Sequence, residues 1–206
     1  CCNNIDLADK ARKISNLGYT TVSAKKMLIK KEEIQSPSFK RHSLLGYNYR
    51  MSEINAAVAL AQLERLDELV NIRKQSAKIF LEAVRDFDLF KPQYVPKNYE
   101  CAYWATSLIL NTNNPQRDWF KFRTLFKKNG GDDFYGAWAL SYYEPLLQKF
   151  SKSIKLKQKY IKGLCKNAEF VQPRIMQFKT NYWNLNKAKK QGQILKKTCK
   201  MFKNEN

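Results

Sequence analysis

The sequence predicts an α/β protein in which helices pack on one small sheet. From Met51 to Lys91 it contains neither Pro nor Gly, and its apolar residues recur at helical spacing. Two strand-like runs, Tyr103–Leu110 and Phe170–Phe178, each precede a helix-like segment. No segment repeats another, which excludes solenoid architectures.

Taken in order, Asn4 precedes an amphipathic stretch, Ile5–Ile14, with acids early and bases late. Gly18 stands where a helix C-cap is expected. Residues 19–41 are lysine-rich and read as irregular, in the manner of an insertion. Ser52 is a suitable N-cap, with Glu53 favourably placed in the first turn. From there Ile54, Ala57, Val58, Ala61, Leu66, Leu69 and Val70 predict one long helix reaching about Phe87. Its alanines leave room for a neighbouring backbone. Past Pro92 and Pro96, the β-branched and aromatic run ending at Leu110 reads as a strand. Asn114-Pro115 supplies an N-cap and an N1 proline for a helix through Lys128, stopped at Gly130-Gly131. After the second strand, Asn184 caps a final helix from Leu185 to about Phe202, with Ala188, Ile194, Leu195 and Cys199 inward.

Composition narrows the function classes. With 44% hydrophobic residues, 206 residues suffice for one sizeable core or two smaller ones. No run approaches the ~18 apolar residues of a membrane span. Five cysteines at scattered spacings and a single histidine supply a metal site poorly, and fit reduced, buried thiols in a cytoplasmic protein. The net charge of +20 raises the alternative of a nucleic-acid-binding module. Yet Lys outnumbers Arg by about three to one, and the bases are spread through helices rather than massed in a tract. Bidentate base readout favours Arg. A solvated basic surface, able to attract a nucleotide diphosphate, explains the charge better.

The most informative string is Gly46–Leu69, GYNYRMSEINAAVALAQLERLDEL. It resembles the DegT/DnrJ/EryC1/StrS family of pyridoxal-phosphate-dependent aminotransferases acting on nucleotide-linked keto sugars. The likeness is strong over 46–87, fair over 1–18 and 165–203, and weak between. It implies the C-terminal part of a fold-type-I transferase. Residues 1–50 would be a remnant of the large cofactor domain with its dimer-interface loop, 51–90 a linking helix, and 91–206 a small α/β domain. Transamination with pyridoxal 5'-phosphate needs a Schiff-base lysine, a carboxylate at the pyridinium nitrogen and donors for the phosphate. No lysine here follows a Ser-x-x-Lys turn leading to Gly-Glu-Gly-Gly, so the resemblance places that lysine upstream of residue 1. The chain, which opens Cys1-Cys2-Asn3-Asn4 where relatives end a strand, then reads as beginning inside a longer enzyme.

The resemblance further implies that the 46–50 loop crosses a homodimer interface to the partner's cofactor phosphate. An Asn48 amide and an Arg50 guanidinium both suit a phosphate oxygen, and both are expected cofactor contacts. The competing expectation is that Asn48 caps the turn and Arg50 pairs with Glu53. Gly46 is expected to meet a backbone demand other residues cannot. His42, Tyr142 and Arg174 are the expected substrate contacts, with a structural role as the alternative for His42 and Arg174. Around Tyr142, in GAWALSYYEP, relatives more often carry Arg and His, so this chain departs from the pattern. The expected reaction moves an amino group, from glutamate, onto a nucleotide-linked keto-deoxy sugar. The family's 3-dehydratase branch is the alternative, separated by the residue at the lysine position.

Overall fold

The computed structural model describes residues 2–25, 32, 35–153 and 162–204. Cys1 and residues 26–31 and 33–34 of the lysine-rich connection lie outside the described residues. The chain divides into two compact units, Cys1–Glu64 and Arg65–Asn206.

In the first unit, α1 spans Ile5–Ser15 and α2 spans Glu53–Glu64. The Asn4 side chain accepts from Leu7 N at 3.0 Å, which caps α1 as its sequence requires. At the other end Gly18 N donates to Lys13 O at 2.7 Å, the six-to-one bond of a Schellman ending. Leu17 takes φ +59° and Gly18 φ +71°, so the chain turns back sharply. Every residue of α2 is exposed, including its apolar Ile54, Val58, Leu60 and Leu63.

In the second unit, α3 (Leu66–Val84) leads to β1 (Phe90–Pro92), β2 (Ala105–Leu110) and α4 (Pro115–Lys128). Then come α5 (Pro145–Ser153), α6 (Lys166–Val171), β3 (Ile175–Lys179) and α7 (Leu185–Asn204). The sheet runs β1-β2-β3, antiparallel throughout, with Phe90 opposite Leu110 and Ala105 opposite Lys179. Alternation along β2 buries Thr106, Leu108 and Leu110 on one face, and β3 adds Met176 and Phe178. Phe80 of α3, Phe122 and Phe126 of α4, and Leu195, Cys199 and Phe202 of α7 complete that core. Each such side chain contributes roughly 1.5–3 kcal/mol by leaving water. Gly192 lets α3 and α7 approach closely, because a Cβ there would lie 2.6 Å from Ile79 Cγ2.

Several sequence expectations need correction. The single helix expected from Met51 to Phe87 is broken at Arg65, whose φ of −106° and ψ of 10° leave the helical region. No Pro or Gly marks the break; Arg65 forks instead onto Glu68. The strand expected from Phe170 begins only at Ile175. Residues 166–171 are helical, and Pro173, lacking an N–H, sits in a 3-10 turn where it owes no ladder bond. The first strand starts at Ala105 because Tyr103 takes φ +49°. β1 escaped notice, and its Pro92 is tolerated because β1 is an edge strand. Only Cys199 is buried among the described cysteines, while Cys2 and Cys165 are exposed. Burial pushes the Cys199 thiol up to about 12, so it behaves as a small hydrophobe. The α4 ending matches its glycines: Gly131 N bonds Phe126 O at 2.9 Å and Gly130 N bonds Lys127 O at 2.9 Å.

Candidate active site: the Gly46–Arg50 strand

Residues 42–49 run antiparallel to the chain leaving α1, with bridges Tyr19–His42 and Asn16–Asn48. Tyr47 N donates to Ile14 O at 2.6 Å, Leu17 N to Tyr47 O at 2.9 Å, and Tyr49 N to Ser15 O at 3.0 Å. The strand thus takes up carbonyls and an amide left over where α1 stops. Two glycines make this possible. A Cβ on Gly46 would lie 2.2 Å from Gly18 N, and one on Gly18 would lie 1.9 Å from Leu44 O. Gly46 has no positive φ, so the demand expected of it is close approach rather than an unusual dihedral.

Alternation then sorts the motif. Tyr47 and Tyr49 stack at 5.3 Å on one side of the extended backbone. Asn48 and Arg50, likewise two apart, meet each other: Arg50 Nε donates to Asn48 Oδ1 at 2.9 Å. Both are exposed, and among the described residues no further hydrogen bond is recorded for Asn48 Nδ2 or the Arg50 Nη groups. The arrangement presents outward-facing donors, one of them charged, which is the chemistry a phosphate requires.

The other candidates have structural partners. His42 Nδ1 lies 2.7 Å from Leu17 O, and a carbonyl only accepts, so Nδ1 carries the proton. The ring also stacks on Tyr19 at 5.3 Å. Tyr142, in the second unit, is buried and donates to Glu169 Oε1 at 2.7 Å. Burial first, and the Glu169 carboxylate second, push its phenol above the usual tyrosine range. The same bond, working against burial and aided by the Gly163 amide, holds Glu169 below the usual carboxylate range. Arg174 Nη1 donates to Phe170 O at 2.6 Å, and the guanidinium carbon Cζ lies 4.0 Å from the centroid of the Phe170 ring. It closes the end of α6. Asn48, Arg50 and His42 therefore share the first unit, while Tyr142 and Arg174 both anchor on α6.

Two features escaped the sequence reading. The pairing of Gly18 with Gly46 joins residues 28 apart, and only their isolation between apolar neighbours hinted at it. Glu169, one of few acids in a basic region, is the acceptor that fixes Tyr142. A cleft of about 450 Å³ near α7 is lined by Lys179, Lys187 and Lys190 beside exposed Trp183. Lys179 is already paired with Asp132 at 2.7 Å.

Comparison with known proteins decides the family. The model of the DegT/DnrJ/EryC1/StrS aminotransferase family matches residues 1–179. The chain belongs to that family. It is 33% identical over 115 residues to GDP-perosamine synthase of Vibrio cholerae, covering 52% of this chain and 30% of that enzyme. It is 34% identical over 71 residues to GDP-perosamine synthase of Escherichia coli O157:H7, covering 34% of this chain and 19% of that enzyme. Among solved structures, Helicobacter pylori PseC, an aminotransferase of pseudoaminic acid biosynthesis, superposes with a TM-score of 0.72 at 17% identity. That match covers 97% of this chain and 47% of PseC. E. coli GDP-4-keto-6-deoxy-D-mannose-3-dehydratase gives 0.67 at 15% identity, covering 94% of this chain and 48% of that one. The fold is that of part of a fold-type-I transferase. This chain spans less than a third of these curated relatives and about half of these solved enzymes. Among the described residues, no helix is long and apolar enough to cross a membrane.

Proposed function

We propose that this family member supplies part of a pyridoxal-phosphate-dependent sugar aminotransferase. The complete homodimeric enzyme moves an amino group from an amino-acid donor, glutamate, to a nucleotide-linked keto-deoxy sugar. The observation that carries the reading is the outward pair of Asn48 and Arg50 on a strand fixed by the Gly18–Gly46 contact. Its donor set fits a phosphate monoester: an amide N–H and a guanidinium, both exposed, on a backbone hydrogen-bonded to the chain leaving α1. When bound, pyridoxal 5'-phosphate supplies the electron sink for amino transfer. The role of this chain is to grip and orient the phosphate, from Asn48 and Arg50 of one subunit toward the site of the other. Tyr142 and Glu169 keep the 135–145 loop seated, and His42 seats the approach to Gly46. A role for His42, Tyr142 or Arg174 against the substrate would add to these bonds.

A second reading has its own support, because the 3-dehydratase superposes nearly as well as PseC. The test is to supply the intact enzyme with nucleotide-linked keto sugars and glutamate, and to weigh the products by mass spectrometry. An amino sugar formed with loss of glutamate is expected. A deoxygenated product establishes the dehydratase reading instead, and no product from any keto sugar overturns both.

A further inference from the structure

We infer that the outward face of α7, with the cleft at its start, is a binding surface for single-stranded nucleic acid, held by charge and stacking rather than by base sequence. α7 carries seven lysines and no acid, and all seven are exposed. Its packing sorts them: Ala188, Leu195, Cys199 and Phe202 face the core, which leaves the lysines on the solvent side. Lys190 and Lys197 are seven apart, and Lys189, Lys196, Lys200 and Lys203 follow at intervals of seven, four and three. Such spacing lines them up along a helix about 30 Å long. The acids they meet are engaged: Asp86 pairs with Lys196 at 3.1 Å, and Asp132 with Lys179 at 2.7 Å. Among the described residues, no ion pair is recorded for Lys187, Lys190 or Lys197.

Trp183 lines the cleft of about 450 Å³ yet is 78% exposed. Two buried side chains fix the acid beside it. Tyr182 Oη donates to Asp132 Oδ2 at 3.0 Å, and the Asp132 amide donates to Gln191 Oε1 at 2.7 Å. The cleft therefore keeps Lys187 and Lys190 for a ligand's charge, next to an indole open to a planar ring. Its size suits one nucleotide-sized group. A lone nucleotide would leave Lys197, Lys200 and Lys203 unused, whereas a strand lays its next phosphates on them. Stacking on Trp183 needs an unpaired base, which selects single strands over duplex. The scarcity of Arg weighs against base readout, but tracking a backbone needs only point charges, which Lys supplies.

The 206-residue chain is titrated into a labelled oligothymidylate of roughly twelve nucleotides, and anisotropy and tryptophan emission are followed. Between about 50 and about 200 mM salt, affinity is expected to fall about 50- to 130-fold, the dependence of about four or five phosphate contacts on a single strand. Trp183→Ala should weaken binding about 5- to 150-fold with the salt slope unchanged. Trp183→Phe should keep most of the affinity and lose most of the quenching of emission. Lys190→Gln with Lys197→Gln should lower the salt slope by about 1.4. All three side chains are exposed, and circular dichroism of each variant checks that the fold is kept. Unchanged affinity in Trp183→Ala, or an unchanged slope in the lysine variant, overturns the inference. So does a duplex of the same length that binds as tightly as the single strand. Thymidine monophosphate binding as tightly as the oligonucleotide makes the cleft a small-ligand site and overturns the polymer. Binding to phosphatidylserine vesicles without binding to the oligonucleotide assigns the face to a membrane and overturns it too. No binding of the oligonucleotide at the lower salt refutes it outright. The intact enzyme must rank the variants in the same order.

Discussion

Replacing Gly46 by Ala tests the framework that holds the Asn48–Arg50 pair. The added Cβ would sit 2.2 Å from Gly18 N, 2.6 Å from Leu17 C and 2.9 Å from Gly18 Cα. All three are backbone atoms, so no rotamer change relieves the clash. Overpacking of this kind costs about 1–3 kcal/mol. Moving the strand outward also strains the bonds from Tyr47 N to Ile14 O and from Leu17 N to Tyr47 O, each worth about 0.5–1.5 kcal/mol. The combined local loss is about 2–6 kcal/mol, or roughly 30-fold to about ten-thousandfold faster exchange of the affected amides. Hydrogen exchange read by NMR at Leu17, Tyr47 and Tyr49 measures this directly. Gly163→Ala is the control, since a Cβ there meets nothing within 4 Å and its cost is confined to its φ of +91°. Unchanged protection of Tyr47 and Tyr49 in Gly46→Ala would refute the close-approach account. So would equal loosening by Gly163→Ala.

In the second unit, Leu108→Ala removes a fully buried side chain from the inward face of β2 and is expected to cost about 2–5 kcal/mol. The urea midpoint should fall with the slope unchanged. Burial pulls the Asp118 carboxyl up, but hydrogen bonds from Arg117 and Thr112 outweigh it and hold it below the usual range. Its stabilisation is therefore present above the ordinary carboxylate pKa and is lost as pH falls through the depressed folded value. Asp118→Asn should cost about 1–3 kcal/mol at neutral pH and flatten the acid limb of the stability profile. An unchanged acid limb contradicts the assignment. The exposed Ile54, Val58, Leu60 and Leu63 of α2 predict self-association of this chain, and Val58→Lys with Leu63→Lys should raise the monomer fraction in sedimentation. A wild-type chain that stays monomeric at micromolar concentration contradicts this.

What was legible in the sequence followed local chemistry. Asn4, Asn114 and Gly130-Gly131 announced helix ends, because a cap needs only residues adjacent in the chain. The family was legible because GYNYRMSE packs backbone, aromatic and donor demands into eight consecutive residues. What failed depended on partners distant in sequence. Phe170 has strand chemistry, yet Pro173 and the Arg174 bond to Phe170 O favour a helix and a 3-10 turn. The break at Arg65 has no sequence signature. Nor could the chain alone show that Gly46 is set against Gly18, or that Arg50 turns toward Asn48 rather than Glu53.

The shared phosphate grip is tested most directly by mixing subunits of the intact enzyme. One subunit carries Asn48→Ala, and the other has its cofactor lysine replaced by Ala; each parent homodimer is inactive or nearly so. If Asn48 reaches across the interface, an exchanged dimer has one site that keeps both the lysine and an intact Asn48, and another that has lost both. Up to half of the wild-type activity per dimer should then return. If exchanged dimers stay as inactive as their parents, the contact is made within one subunit or is not needed, and the account of a shared site is wrong.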